Sequence, residues 1–231
     1  MSQTSAMRLA WGVGGRGRIL EAVIEANAAG LLRTKPVLII TSRRSEIETV
    51  ASRYGIASRL IDSGRGKPSD AFHDAFRAAL LEHDVDWLGL TFDKLLAVPT
   101  IDALGGRIFN IHMSLLPLFP GFGAVRKALS CGMRVAGVTV HMVAAGMDDG
   151  PILGQSVVPV TFGDTELTLG RKLFESAVPL ALQIVRAIER GELKLDQCRQ
   201  PHWSAWMHAN QGPFFPRLDK DLVEFARRFC M

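Results

Sequence analysis

Cysteine is scarce and ill-placed. The chain of 231 residues has three, Cys131, Cys198 and Cys230, odd in number, far apart and without the spacing of metal ligands. They support neither a disulfide framework nor a zinc site, so a reducing compartment and no metal are expected. Long apolar runs are also missing. Nowhere do about 18 uncharged apolar residues follow one another, the length a membrane span needs, and residues 1–11, MSQTSAMRLAW, lack a basic start leading into an apolar core. Neither a membrane segment nor a secretory leader is expected, which reads as a cytoplasmic protein. Basic clusters are wanting too. The formal charge is +4, but no long block of Lys and Arg occurs, so anionic small molecules are plausible partners and nucleic acid is not. With 48% apolar and 22% charged residues, the length suits one sizeable α/β core.

Short apolar runs alternate with amphipathic stretches through the first half. Strands are expected at 8–13, 36–40, 58–61 and 86–92, with helices at 19–31, 45–55 and 69–83. That alternation predicts a Rossmann-like, doubly wound sheet, mostly parallel. From residue 107 the rhythm changes. Strands at 107–112, 135–143 and 152–160 come with one short helix, 124–132, so antiparallel strands are expected in this second half. Two of them should pair across a tight reversal at 146–151, GMDDGP. A long helix from Thr165 to Arg190 should follow, with Asp164 as N-cap and Gly191 as its end. Residues 1–195 are expected to form the domain proper and 196–231 an aromatic-rich extension.

Three stretches hold chemistry. Residues 12–17, GVGGRG, match G-x-G-x-x-G through Gly12, Gly14 and Gly17, between a strand and a helix. This is the dinucleotide fingerprint at face value, and Arg43 and Arg44 at the end of the second strand suit a 2′-phosphate, so an NADP-binding oxidoreductase is one reading. Any open α/β protein also needs glycines there. Both readings leave free N–H groups at a helix start, with Arg16 and Arg18 beside them, and favour an anion. At 107–112, Asn110 and His112 share one strand face because side chains alternate. A lone strand-end histidine is most often structural, but an amide and an imidazolium together make a donor pair suited to an oxyanion. At 138–152, Thr139 and His141 share a face, and Asp148 and Asp149 follow. The two aspartates are either turn formers or a carboxylate that orients an imidazole and keeps it charged.

Together, Asn110-Ile111-His112, Ser114-Leu115-Leu116-Pro117, Pro120-Gly121, Gly137 with Thr139 and His141, and Asp148 with Gly150-Pro151 resemble the folate-dependent formyltransferases, most closely the phosphoribosylglycinamide formyltransferase type. The resemblance spans roughly residues 7–190. It implies 10-formyltetrahydrofolate as co-substrate, a primary amine as acceptor, and Asn110, His112 and Asp148 as catalytic residues. It implies a folate wall after the fourth strand from Phe92, Asp93, Lys94, Leu95 and Leu96, with His141 near it, and supporting roles for Thr139 and Ser114. Gly15, Arg16, Gly17 and Arg18 are expected to bind the acceptor, and the protein to be a monomer or homodimer.

Departures from the family pattern carry their own expectation. Met113 stands where members have Pro, a change that removes no reacting group. Arg18 and Ile19 replace a Ser-Asn pair of the glycinamide ribonucleotide enzymes, and Ala177 stands at the place of a helix Glu, with Glu175 half a turn away. Two acceptor contacts are missing while the transfer apparatus remains. An anionic amine other than glycinamide ribonucleotide is therefore expected, with that ribonucleotide as the alternative and a non-catalytic anion-binding relative as a further one. The extension has no place in the resemblance. Its Trp203, Trp206, Phe214, Phe215, Phe225 and Phe229 are expected to pack on the core.

Overall fold

A computed structural model describes residues 6–64, 68–92, 94–204 and 213–229, and the chain divides into two compact units, Met1–Phe109 and Asn110–Met231. The first unit runs β1 (Arg8–Val13), α1 (Arg18–Ala28), β2 (Lys35–Thr41), α2 (Ile47–Arg53), β3 (Ala57–Leu60), α3 (Asp70–Glu82), β4 (Trp87–Thr91) and α4 (Val98–Ala103). Its strands pair in parallel in the order β4-β1-β2-β3. Leu9 through Val13 are all buried, as a strand covered on both faces requires. Helix α1 turns Ile19, Leu20, Val23 and Ile24 inward. Helix α3 starts at Ser69, whose hydroxyl accepts the N–H of Phe72. Helix α4 was absent from the sequence pattern, since six residues are too few to show a helical period.

Strand β5 (Ile108–His112) opens in the first unit and ends in the second. The second unit continues with α5 (Ala124–Ser130), β6 (Val135–Met142), β7 (Ile152–Pro159), α6 (Glu166–Glu189), β8 (Leu193–Leu195), β9 (Pro201–Trp203), β10 (Phe214–Phe215) and α7 (Lys220–Ala226). Strands β6 and β7 are antiparallel, with Thr139 opposite Gln155, and β10 adds antiparallel to β7. The α/β class, with parallel strands first and antiparallel strands in the second half, is as expected. Two local expectations need correcting. The link between β6 and β7 is a longer loop, residues 143–151, in which Asp148 takes a left-handed φ of 54°. The helix cap is Thr165, which is extended and exchanges hydrogen bonds with Thr168. Asp164 stands one residue earlier and instead accepts from Thr161 N at 2.7 Å and Lys172 Nζ at 2.6 Å.

Residues of the extension are tied down by charge as well as by rings. Arg186 of α6 is 2% exposed and donates to Asp219 at 2.8 Å and to both oxygens of Asp221 at 2.7 Å, at the start of α7. Gln183 accepts the N–H of Asp219 at 2.7 Å. The ring of Trp203 meets Phe215 edge-on at 6.1 Å, and Phe225 packs on Phe229 at 5.8 Å. Trp206 and Cys230 lie outside the described residues.

Close approach fixes Gly137 of β6, where an added Cβ would run into the carbonyl oxygen of Ser156 and the side chain of Leu115. A backbone oxygen in a paired strand cannot step aside. Gly137→Ala is expected to lower unfolding free energy by about 1–3 kcal/mol, read as a lower urea midpoint. Gly163→Ala, which meets nothing within 4 Å, is expected to leave it unchanged.

Candidate active site

Alternation along β5 buries Ile111, 7% exposed, on one side and leaves Asn110 and His112 half-buried on the other. On β6 the same alternation aligns Thr139 with His141, both buried. Asp148, on the loop after β6, closes the group. Its Oδ2 accepts the N–H of Gly121 at 2.8 Å and lies 3.3 Å from His112 Nδ1. Its Oδ1 lies 3.5 Å from His141 Nε2. The positive φ of Asp148, which short polar residues tolerate best, is what turns this carboxylate toward both rings.

Hydrogen-bond roles follow from the partners. His112 Nε2 lies 3.0 Å from the carbonyl oxygen of Phe119. With Asp148 on the other nitrogen, both partners of the ring are acceptors, and only an imidazolium satisfies both. His141 Nδ1 lies 2.9 Å from the carbonyl of Met142, while its Nε2 is 3.4 Å from Asn110 Nδ2. Asn110 Oδ1 is buried with no partner among the described residues. Burial alone would raise the Asp148 carboxyl. The hydrogen bond to His141, the Gly121 N–H and the charges of His112 and His141 outweigh it and hold the group at about 2.

The start of the loop from 113 to 121 is held by a buried hydroxyl and its neighbours. Thr139 Oγ1 donates to Ser114 O at 2.7 Å and accepts from Leu116 N at 3.0 Å and Gln155 Nε2 at 3.1 Å. Gln155 Nε2 also donates to Leu116 O at 2.9 Å, and Ser114 Oγ to Leu118 O at 2.7 Å. The loop carbonyl that holds His112 is thereby fixed. Gln155 escaped the sequence reading, although a lone amide in the apolar run of 152–160, opposite Thr139 in register, was the available signal.

Asn110, His112, His141 and Asp148 are thus brought together in the second unit, with Thr139 and Ser114 behind them. The other expected residues form local groups in the first unit. Gly17 caps α1 at a φ of 75°, and a Cβ there would strike Ile47, so this position demands glycine. Ser45 Oγ donates to Gly15 O at 2.9 Å. Arg16, Arg18, Arg43 and Arg44 are exposed, and Ile19 is buried. Gly14 N donates to Thr91 O at 2.9 Å, which sets this loop beside the segment after β4. There Phe92 stacks on Phe72 of α3 at 6.2 Å, Leu96 is buried, Lys94 is half-buried and Leu95 is exposed. Asp93 lies outside the described residues. Among the described residues, no three His, Cys, Asp or Glu are arranged to hold a metal ion, and no helix is long and apolar enough to cross a membrane.

Comparison with known proteins accounts for this arrangement. Residues 7–185 match the family described as formyl transferase, and the chain belongs to that family. Its glycine-rich first loop therefore serves a formyl transferase fold and not an NADP-dependent oxidoreductase. Among curated proteins, it is 34% identical over 168 residues to phosphoribosylglycinamide formyltransferase of Bacillus subtilis, covering 69% of this chain and 83% of that one. It is 37% identical over 198 residues to the trifunctional purine biosynthetic protein adenosine-3 of Gallus gallus, covering 82% of this chain but 20% of that protein, so it spans about a fifth of that relative's length. Among solved structures, glycinamide ribonucleotide transformylase 1 from Symbiobacterium toebii superposes with a TM-score of 0.81 at 33% identity, over 87% of this chain and 96% of that one.

The lowered carboxyl has a consequence for stability. Asp148 titrates near 2 in the fold against an ordinary 3.8, so its ionised form stabilises the fold above about pH 4, and that contribution is lost as pH falls through about 2. Asp148→Asn is expected to be less stable than the wild type at pH 7 by about 1–2 kcal/mol. Urea titrations at stepped pH should show the gap closing between about pH 4 and pH 2.

Proposed function

We propose that the chain transfers the formyl group of 10-formyltetrahydrofolate to the primary amine of glycinamide ribonucleotide. The observation that carries this reading is the convergence of Asn110, His112 and Asp148 in a member of the formyl transferase family. The amine nitrogen attacks the formyl carbon, a tetrahedral oxyanion forms, and the bond to N10 of the folate breaks. The amine loses one proton and N10 gains one. The imidazolium of His112 and the amide N–H of Asn110 stabilise the oxyanion as donors, and the ring can supply the proton that N10 takes. Asp148, ionised throughout the working range, keeps His112 charged and accepts from the water that receives the amine's proton.

Phe92, Lys94, Leu95 and Leu96, with Asp93, are proposed as the folate wall, largely through backbone groups. Residues 1–195 are proposed as the domain proper, with 196–231 as an extension packed on it. Gly15, Arg16, Gly17 and Arg18 are assigned to the acceptor's phosphate. This reading sets aside the expectation of another amine, because the names of the relatives weigh against it. That expectation survives as a second reading on one observation: two of the three altered positions, 19 and 177, carry no polar side chain. Ile19 is buried, Ala177 is fully buried in α6, and Glu175 is engaged by Arg171 at 2.9 Å.

Three outcomes test the proposal. His112→Ala and Asp148→Asn should each cut formyl transfer at least about a hundredfold, the usual scale for losing an acid–base or oxyanion group, with folding retained by circular dichroism. Turnover of glycinamide ribonucleotide should reach on the order of 10⁴ M⁻¹s⁻¹ or better. A much lower value beside brisk turnover of another amine in a panel selects the second reading. Arg18→Ala should raise KM for the phosphorylated acceptor about tenfold, as expected for a lost charge-assisted contact, and leave folate affinity unchanged in a fluorescence titration.

A further inference from the structure

We infer that Phe215 of β10 is a positioning residue for formyl transfer, which acts through Gln155 of β7 on the loop that faces His112. Its effect on rate rests on the function proposed above, but the hydrogen-bond argument does not.

Strand β7 lies between β6 and β10, and its residues take turns in facing them. In an antiparallel ladder, the pairs that exchange N–H and C=O recur at every second residue. Val160, just past β7, donates its N–H to Arg134 O at 3.0 Å, so in this register Val158, Ser156 and Gly154 turn their backbone groups to β6. Val157 donates to Pro213 O at 2.9 Å, so Val157 and Gln155 turn theirs to the other side, with Gln155 opposite Phe215. Gln155 and Thr139 are then a pair without ladder bonds, the kind whose side chains come closest. The Gln155 amide does reach Thr139 Oγ1, at 3.1 Å. The peptide groups of Gln155 therefore have their ladder partner in β10 and not in β6.

Fit and anchorage hold that partner in place. A Cβ on Gly154 would come within 2.6 Å of Phe215 O and 3.0 Å of Pro216 Cδ, which leaves no room for a side chain at 154. Asp219, shortly after Phe215, is held by Arg186 and Gln183 of α6, and this keeps the short strand on β7. From Gln155 the path runs on through its side chain. Nε2 donates to Leu116 O at 2.9 Å. Leu118 donates its N–H to Leu115 O at 2.9 Å and accepts from Ser114 Oγ at 2.7 Å, and it directly precedes Phe119. The Phe119 carbonyl and the Gly121 N–H then face His112 and Asp148. Releasing Phe215 from Gln155 lets β7 move under the amide that ties it to this loop, and the setting of the oxyanion donor loosens with it.

The test uses the full chain and a pair of proline variants at adjacent positions. Phe215→Pro removes the N–H that the ladder turns to Gln155, whereas Phe214→Pro removes one that faces away from β7. With folding confirmed by circular dichroism, Phe215→Pro should lower kcat about tenfold and leave KM for folate and acceptor within about twofold, the pattern of an interaction felt in the transition state. Phe214→Pro should keep kcat within about twofold. Phe215→Leu, which restores the N–H, should recover most of the loss. Gln155→Met should match Phe215→Pro, and both changes together should cost no more than either alone, because they break one path. Hydrogen exchange read by ¹⁵N NMR should quicken at least about tenfold at the N–H groups of Leu116 and Gly121 in Phe215→Pro and Gln155→Met, and not in Phe214→Pro. Should Phe215→Pro fail to fold, exchange of the wild type in sub-denaturing urea decides. The Val157 N–H, which reports β10, and the Leu116 N–H should open with the same urea dependence. Equal kcat in the two proline variants, losses that add in the double variant, unchanged exchange at Leu116, or a Leu116 that stays protected after Val157 has opened overturns the inference. If the chain formylates no amine, the proposed function fails, and the exchange rates still decide whether Phe215 reaches the loop.

Discussion

One carboxylate holds the site together. Asp148 takes a backbone N–H from Gly121 on one oxygen, shares that oxygen with His112, and turns the other toward His141. It lies on a loop, so its orientation comes from its left-handed backbone and from the loop it grips at Gly121. A carboxylate this well satisfied is hard to protonate, which is unhelpful in a general base and useful in a permanent counter-ion. Asp148 is therefore best understood as the fixed charge that faces both of its histidine neighbours.

The loop between β5 and α5 matters as much as the charges. Its carbonyl at Phe119 supplies the second acceptor facing the ring of His112, and its N–H at Gly121 helps hold Asp148 ionised. Neither group belongs to a side chain of Asn110, His112 or Asp148. The start of their loop, at Ser114 and Leu116, is held by Thr139, whose hydroxyl has all of its hydrogen-bonding capacity in use, and by Gln155 on the neighbouring strand. Antiparallel pairing of β6 with β7 sets those two opposite each other. The antiparallel half of the fold thus works as a frame that transmits sheet geometry to a loop with no regular structure of its own.

Much of this was legible in the residues. The change of rhythm at 107 marked the passage from parallel to antiparallel strands, because a period of two survives in any half-buried strand. The same period placed Asn110 with His112 and Thr139 with His141. What was hidden depended on loop conformation. The cap of α6 is Thr165 because its backbone is extended there, a matter of dihedral angle that composition does not display. Nothing in GMDDGP indicated that Asp148 would adopt a positive φ, or that Asp148 and not Asp149 would face the rings, except the resemblance to a family. The backbone partners Phe119, Gly121 and Met142 were beyond reach for the same reason, since any residue type supplies a carbonyl. Ile19 and Ala177 are side-chain losses at two positions of the family pattern, and the names of relatives matched over most of the chain weigh on the other side.

Arg186 binds the last helix of the chain to the longest one, and its burial makes that attachment obligatory. A guanidinium inside a protein is tolerable only where carboxylates meet it, and the two that do so here, Asp219 and Asp221, come from a segment outside the family match. A chain ending just after α6 would bury the same cation against neither of them. Whatever else residues 196–231 do, α6 has become dependent on them, and any shorter form of this protein would need a different residue at 186.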